Sequence, residues 1–108
     1  MPQDLEIRSQ HFLKEMEQAI QLANREILSQ RLPPITKENL LPLAVSVARL
    51  RSQYLAEAFR IAEADAGEAP KEDEIKALRF YREMYEEARL AFDSLIHVID
   101  RGYVEMGK

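Results

Sequence analysis

The sequence predicts an all-α protein, an up-down-up bundle of three long antiparallel helices that residues 1–101 form as a single domain. Two observations predict this fold: three segments repeat apolar residues every three or four positions, and prolines or glycines interrupt the chain between them. A chain of 108 residues, 46% of them hydrophobic, suits one domain with a core of its own. The absence of cysteine excludes disulfides and thiolate metal sites.

The first helix is predicted over residues 4–31. Asp4 is a suitable N-cap, because its carboxylate can accept hydrogen bonds from the free amides of the first turn. The Pro33-Pro34 pair ends the helix, since proline has no amide hydrogen and disfavours helical geometry in the residue before it. Between these points the apolar positions follow a 3, 4 spacing: Leu13, Met16, Ile20, Ala23 and Ile27.

The second helix is predicted over residues 39–66. Thr36 and Asn39 are both good N-caps, and Pro42 favours the later start because proline is best tolerated in the first helical turn. A start at Thr36 with a kink at Pro42 is the alternative. Gly67 lies where a glycine in left-handed geometry commonly ends a helix.

The third helix is predicted over residues 70–101, with Pro70 in its first position and acidic residues 72–74 against the positive end of the helix dipole. Gly102 ends it, and residues 102–108 are expected to form a flexible C-terminal tail. Its apolar positions keep the same spacing over three heptads: Leu78, Tyr81, Tyr85, Ala88, Phe92, Leu95 and Ile99.

The second helix is unusual because it carries two apolar stripes, whereas a helix in a small bundle needs one. The first stripe contains Leu41, Ala44, Ala48, Leu55, Ala58 and Ala62. The second stripe contains Leu40, Leu43, Val47, Leu50, Tyr54 and Ile61. In one interpretation the helix lies in the middle of the bundle and covers both neighbouring helices. In the other, which we favour, the second stripe meets another chain.

The second interpretation predicts a homodimer, or a protein partner bound through the second helix. The interaction face would then consist of five residues of the second stripe: Leu43, Val47, Leu50, Tyr54 and Ile61. A dimer of this kind would place the second helix at a twofold axis in a helical assembly of two chains.

Charge and hydropathy argue against several classes of partner. The 15 basic and 19 acidic side chains give a net charge of −4, and no dense basic stripe suggests nucleic-acid binding. No apolar run approaches the ~20 residues of a membrane-spanning helix. The N-terminal residues do not resemble a secretion signal, so we expect a cytoplasmic protein without membrane contact.

Two patterns could carry chemistry on a helix surface. His11 with Lys14 resembles part of the core of histidine phosphotransfer domains, in which a lysine balances the phosphoryl charge, but Glu15 stands where that core has glycine. Glu83 and Glu86 have the spacing with which two carboxylates can hold one Mg²⁺, as in helical nucleotide pyrophosphohydrolases. A second acidic pair of matching spacing, which those enzymes require, is missing from the sequence.

Arg51 is the one basic residue that interrupts an apolar stripe, and a basic group in a bundle core could bind a dicarboxylate. The sequence nevertheless contains few groups suited to catalysis. We therefore predict a small non-enzymatic interaction or adaptor protein without catalytic residues, metal or cofactor. The alternative is a small helical enzyme with a site around Arg51 or a Mg²⁺-binding Glu83/Glu86 pair, or a phosphotransfer module that uses His11.

Overall fold

A computed structural model describes residues 2–108, and it contains three helices and no strands over that range. They are α1 (Pro2–Ser29), α2 (Lys37–Ala64) and α3 (Glu72–Asp100). The predicted all-helical class and the number of helices are confirmed, and most of the helix ends lie two residues from their predicted positions. The chain divides into two compact units, Met1–Thr36 with Ile96–Lys108 (unit 1) and Lys37–Leu95 (unit 2).

Unit 2 is held together by the packing of α2 with α3. Val47 and Ile61 of α2 are 7% and 2% exposed, and Tyr54 of α2 stacks on Tyr85 of α3 with ring centroids 6.3 Å apart. All three α2 residues belong to the second stripe. That stripe therefore faces α3 within the chain, and the first stripe keeps exposed members such as Leu41 and Leu55.

The start of α2 follows the alternative with the earlier N-cap. The helix begins at Lys37, directly after Thr36, and Pro42 lies inside it. Proline cannot donate to the carbonyl one turn before it, so the helix loses one hydrogen bond near its start. Ser46 Oγ donates a hydrogen bond to the Pro42 carbonyl at 3.0 Å.

The α2 helix ends at Ala64, two residues before the predicted end at residue 66. Ala66, with φ of +53°, and Gly67, with φ of +82°, are both in left-handed geometry. The Gly67 amide donates to the Ala62 carbonyl at 3.1 Å, and the Ala66 amide donates to the Glu63 carbonyl at 3.2 Å. These two bonds form a Schellman motif in which Ala66, rather than the glycine, occupies the left-handed C′ position.

The start of α3 is set by a side-chain cap rather than by proline. The Lys71 amide donates to Glu74 Oε1 at 2.9 Å, which is one half of a capping box. Lys71 is thus the N-cap, and Pro70 precedes the helix instead of beginning it.

Unit 1 joins α1 to the segment that follows α3. Gly102, with φ of +72°, ends α3, and the Tyr103 amide donates to the Val98 carbonyl at 2.8 Å. Ile35 forms a parallel bridge with Met106: its amide donates to the Glu105 carbonyl at 2.8 Å, and its carbonyl accepts from Gly107 at 2.7 Å.

The same segment contributes to the interior of unit 1. Val104 and Ile35 are each 5% exposed, and Gln21 Nε2 of α1 donates to the Gly102 carbonyl at 3.4 Å. The predicted tail, residues 102–108, therefore has defined partners along most of its length. Periodicity gave no indication of these contacts, because an isolated bridge has no sequence period.

No helix in the described part of the chain is both long enough and apolar enough to cross a membrane.

The left-handed geometry of Ala66 predicts a stabilising substitution. An alanine with positive φ has an unfavourable contact between its Cβ and the backbone that glycine does not have. We expect Ala66→Gly to raise the free energy of unfolding by about 0.5–1 kcal/mol, as measured by urea denaturation followed by circular dichroism.

The matched control for that substitution is Ala64→Gly, two residues earlier, at the last position of α2. Here the backbone is helical, so glycine should lower the free energy of unfolding by about 0.5–1 kcal/mol. Equal effects at the two positions would contradict the assignment of Ala66 as the left-handed cap.

Candidate interaction surface

The polar residues singled out by the sequence lie mostly in ordinary surface pairs. Arg51 Nε of α2 donates to the Tyr85 hydroxyl of α3 at 3.2 Å, and its Cζ lies 5.3 Å from the centre of the same ring. Arg89 Cζ lies 6.0 Å from that ring. Arg51 thus joins α2 to α3 through a hydrogen bond and a cation–π contact, which gives it a structural role in unit 2.

Glu83 and Glu86, the predicted acidic pair on α3, lie in different environments. Glu86 lies 4.0 Å from Arg82, one turn away, whereas Glu83 borders an apolar groove described below. Among residues 2–108, no group of three or more histidines, cysteines, aspartates or glutamates is placed to hold a metal ion.

His11 lies on the surface of α1. Its Nε2 is 3.6 Å from the Glu15 carboxylate, and the two side chains are 78% and 69% exposed. Glu15, which differs from the glycine of phosphotransfer domains, therefore occupies the position beside the imidazole.

A local charge pair lies on α2, where the Arg60 guanidinium makes two hydrogen bonds to the Glu57 carboxylate. These bonds, together with the charge of Arg60, lower the pKa of Glu57 below its ordinary value of 4.5, while partial desolvation opposes the change. The pair borders a shallow cleft that Tyr81 of α3 also lines.

The Glu57–Arg60 pair predicts a pH dependence. Because the pKa of Glu57 is lower in the folded state, the pair stabilises the fold above pH ~4.3, and the effect disappears as the pH falls through the folded-state pKa. A carboxyl-detected NMR titration should show the Glu57 pKa rising in Arg60→Gln. Arg49→Gln, at another exposed α2 position, is the control and should leave that pKa unchanged; an equal rise in both variants would contradict the assignment.

The largest apolar feature of unit 1 is a stripe along α1 that we call the α1 seam. Its large side chains are 43% to 64% exposed, and α1 has no buried residue among those described. The α1 seam consists of Leu5, Phe12, Leu13, Met16, Ile20 and Ile27. Sequence periodicity identified most of this stripe as a core face. Within unit 1, Ile20 borders the cleft towards the C-terminal segment, and all six side chains stay at least 43% exposed.

Unit 1 instead uses the polar side of α1. The cleft of about 380 Å³ between α1 and the C-terminal segment is lined on the α1 side mainly by polar residues, Lys14, Glu17 and Gln21, together with Ile20 of the α1 seam, and Arg101 and Tyr103 lie opposite. At about 100° per residue, the three polar positions lie roughly 130° around the helix from the middle of the α1 seam.

Unit 2 carries a second apolar surface, which we call the α3 groove. It has a volume of about 490 Å³ and is lined by Leu50 of α2 with Phe80, Met84 and Ala88 of α3. Phe80 is 58% exposed. The acidic side chains Glu83 and Glu87 border the groove.

The residues of the predicted interaction face on α2 have different surroundings in the structure. Val47 and Ile61 are buried in the packing of unit 2, Tyr54 is stacked on Tyr85, and Leu50 lines the α3 groove. Contact of this face, which also includes Leu43, with a second chain stays a prediction. The α1 seam and the α3 groove are the two surfaces that sequence reasoning did not assign to an interface.

No protein-family model, curated protein or solved structure matches this chain, so its function is argued from its own residues.

Proposed function

We propose that the chain is a small, non-enzymatic interaction protein of the cytoplasm that forms a homodimer through apolar helix faces. The observation that supports this most directly is the exposure of the α1 seam. Six large apolar side chains on one helix face, each at least 43% exposed, form a patch of the kind that marks protein–protein contacts.

We further propose that α2 and α3 run antiparallel, as the sequence predicts. Arg51 and Tyr54, in the middle of α2, contact Tyr85, whereas Arg60, nearer the end of α2, interacts electrostatically with Tyr81 and Glu74. Increasing residue numbers on α2 thus correspond to decreasing numbers on α3. The predicted α2 face contributes to the interface through Leu50.

The proposed function predicts a mass of about 25 kDa in solution, twice the 12.5 kDa of one chain, in light scattering on a sizing column. Leu13→Glu should raise the dissociation constant roughly a hundredfold, because a charged group would enter the interface once from each chain. Helicity measured by circular dichroism should be unchanged, since Leu13 is 61% exposed.

The matched control is Leu22→Glu on the same helix. Leu22 is 68% exposed but lies nine residues from Leu13, about two and a half turns, on the opposite side of α1. We expect it to leave the dissociation constant unchanged. A monomeric wild-type chain across a hundredfold range of concentration would contradict the proposed function, and equal effects of both substitutions would contradict the α1 seam as the interface.

A further inference from the structure

We infer that unit 1 contains a peptide-binding site, which residues 104–107 of the same chain occupy as an internal ligand. We call these four residues the strap. The partner that fits the site is an extended peptide with a large aliphatic residue where the strap has Val104 and a glycine three positions later. The site lies in the turn after α1, apart from the α1 seam and the α3 groove, so the inference does not depend on self-association.

The strap is held by backbone hydrogen bonds of the kind that join neighbouring strands. The Ile35 amide donates to the Glu105 carbonyl at 2.8 Å, and the Gly107 amide donates to the Ile35 carbonyl at 2.7 Å. Many proteins bind an extended peptide in this way, with affinity from the main chain and specificity from pockets for individual side chains. The strap thus contacts Ile35 as a bound peptide would.

The turn after α1 fixes the register of the bound segment. The Pro33-Pro34 pair has no amide hydrogen, and the amides of Arg31 and Leu32 both donate to the Leu28 carbonyl, at 3.0 Å and 2.8 Å. Between residues 31 and 35, the Ile35 amide is therefore the one that can pair with an added strand. A single residue that supplies both the donor and the acceptor admits a peptide in one register.

Val104 enters a pocket that it does not fill. Its side chain is 5% exposed, yet a space of about 40 Å³ remains beside it, where roughly 10–15 Å³ is enough for one water molecule. A leucine or isoleucine at this position would fill more of the space, so the strap is a weaker ligand than the pocket admits. The lining is mainly apolar: Leu28, Leu32, Pro33 and Pro34, with Ser29 and Glu105.

The site also selects glycine three positions after the aliphatic residue. A Cβ atom on Gly107 would lie 2.5 Å from Thr36 Cγ2 and 3.5 Å from Pro34 Cβ. The branched side chain of Thr36 has few alternative rotamers, so it does not yield easily. Met106, in contrast, is 62% exposed. The pattern that fits is a large aliphatic residue, two unrestricted residues and glycine.

The strap can open while the end of α3 stays in place. Tyr103, just before it, is tied to the helix: its amide donates to the Val98 carbonyl at 2.8 Å, and its ring centroid lies 6.5 Å from that of His97. Beyond Tyr103, two backbone hydrogen bonds and one buried side chain hold the strap, and small sets of contacts of this kind open locally. Because a tethered ligand has an effective concentration of about 1 mM, a free peptide competes best once the strap is weakened.

The first test weakens the strap in the full chain with Val104→Asp. The probe is a fluorescent peptide of residues 102–108 that carries Val104→Leu. We expect it to bind this variant about tenfold or more tightly than the wild-type chain in fluorescence anisotropy, because the charged strap leaves the apolar pocket. Met106→Asp is the matched control: the same charge at an exposed strap position should leave the strap closed and binding at the wild-type level.

Changes in the probe test the sequence pattern. The probe with its original valine should bind about fourfold more weakly than the leucine probe, the effect of one buried methylene. The leucine probe with Gly107→Ala should bind about tenfold or more weakly, because its added Cβ meets Thr36. Equal binding of the three probes overturns the inference. So does a lack of probe binding to the Val104→Asp chain when its helicity by circular dichroism is that of the wild type.

A disulfide lock tests the site with Val104 in place. The short distance between position 107 and Thr36 allows a disulfide in Thr36→Cys/Gly107→Cys, and the chain has no other cysteine. The leucine probe should bind this variant when it is reduced and fail to bind when it is oxidised. Binding that does not depend on oxidation overturns the inference. Efficient disulfide formation between chains that carry one cysteine each identifies the strap of a second copy as the occupant and overturns the assignment to a different partner.

Discussion

The packing of α2 with α3 around Val47 and Ile61 is the interaction on which the rest of the structure depends. Two helices can shield only the stripe along which they touch, and here that stripe buries two side chains of α2 and stacks Tyr54 on Tyr85. A helix with two apolar stripes therefore keeps one of them in water when it has one neighbour. Every exposed apolar surface of unit 2 follows from this limit.

Unit 1 has a small core that lies outside the helices. Among its described residues, Ile35 and Val104 are buried, and a backbone bridge joins Ile35 to Met106, two residues after Val104. This small core fixes the C-terminal segment against the turn after α1. Neither residue of this core belongs to the α1 seam.

The helices were predictable because their signals are local. Proline pairs, acidic first turns and glycines act on the residues beside them, so three helices and their approximate ends followed from the sequence. The observed start of α3 differs from the predicted one because of a side-chain contact. The Glu74 carboxylate accepts a hydrogen bond from the Lys71 amide, so the helix begins after Lys71 rather than at Pro70. Ala66 took the left-handed position expected for Gly67, because the bonds to Ala62 and Glu63 require it there.

The partners of the apolar faces were not predictable in the same way. A 3, 4 spacing identifies a face but carries no information about what covers it, so two interpretations of the second stripe of α2 stayed open, a neighbouring helix or another chain. The contact of Arg51 with Tyr85 joins residues 34 positions apart, and the bridge of Ile35 to Met106 joins residues still further apart. One sequence contains no pattern that links such distant positions.

The proposed self-association has a consequence for stability, because folding then depends on the concentration of the chain. Binding of a partner to the folded state alone adds to the free energy of unfolding in proportion to the logarithm of the free partner concentration above its dissociation constant. For a self-associating chain, the partner is the protein itself. Folding and association would then be one equilibrium, and the exposed α1 seam would contribute to the stability of the fold only through the second copy.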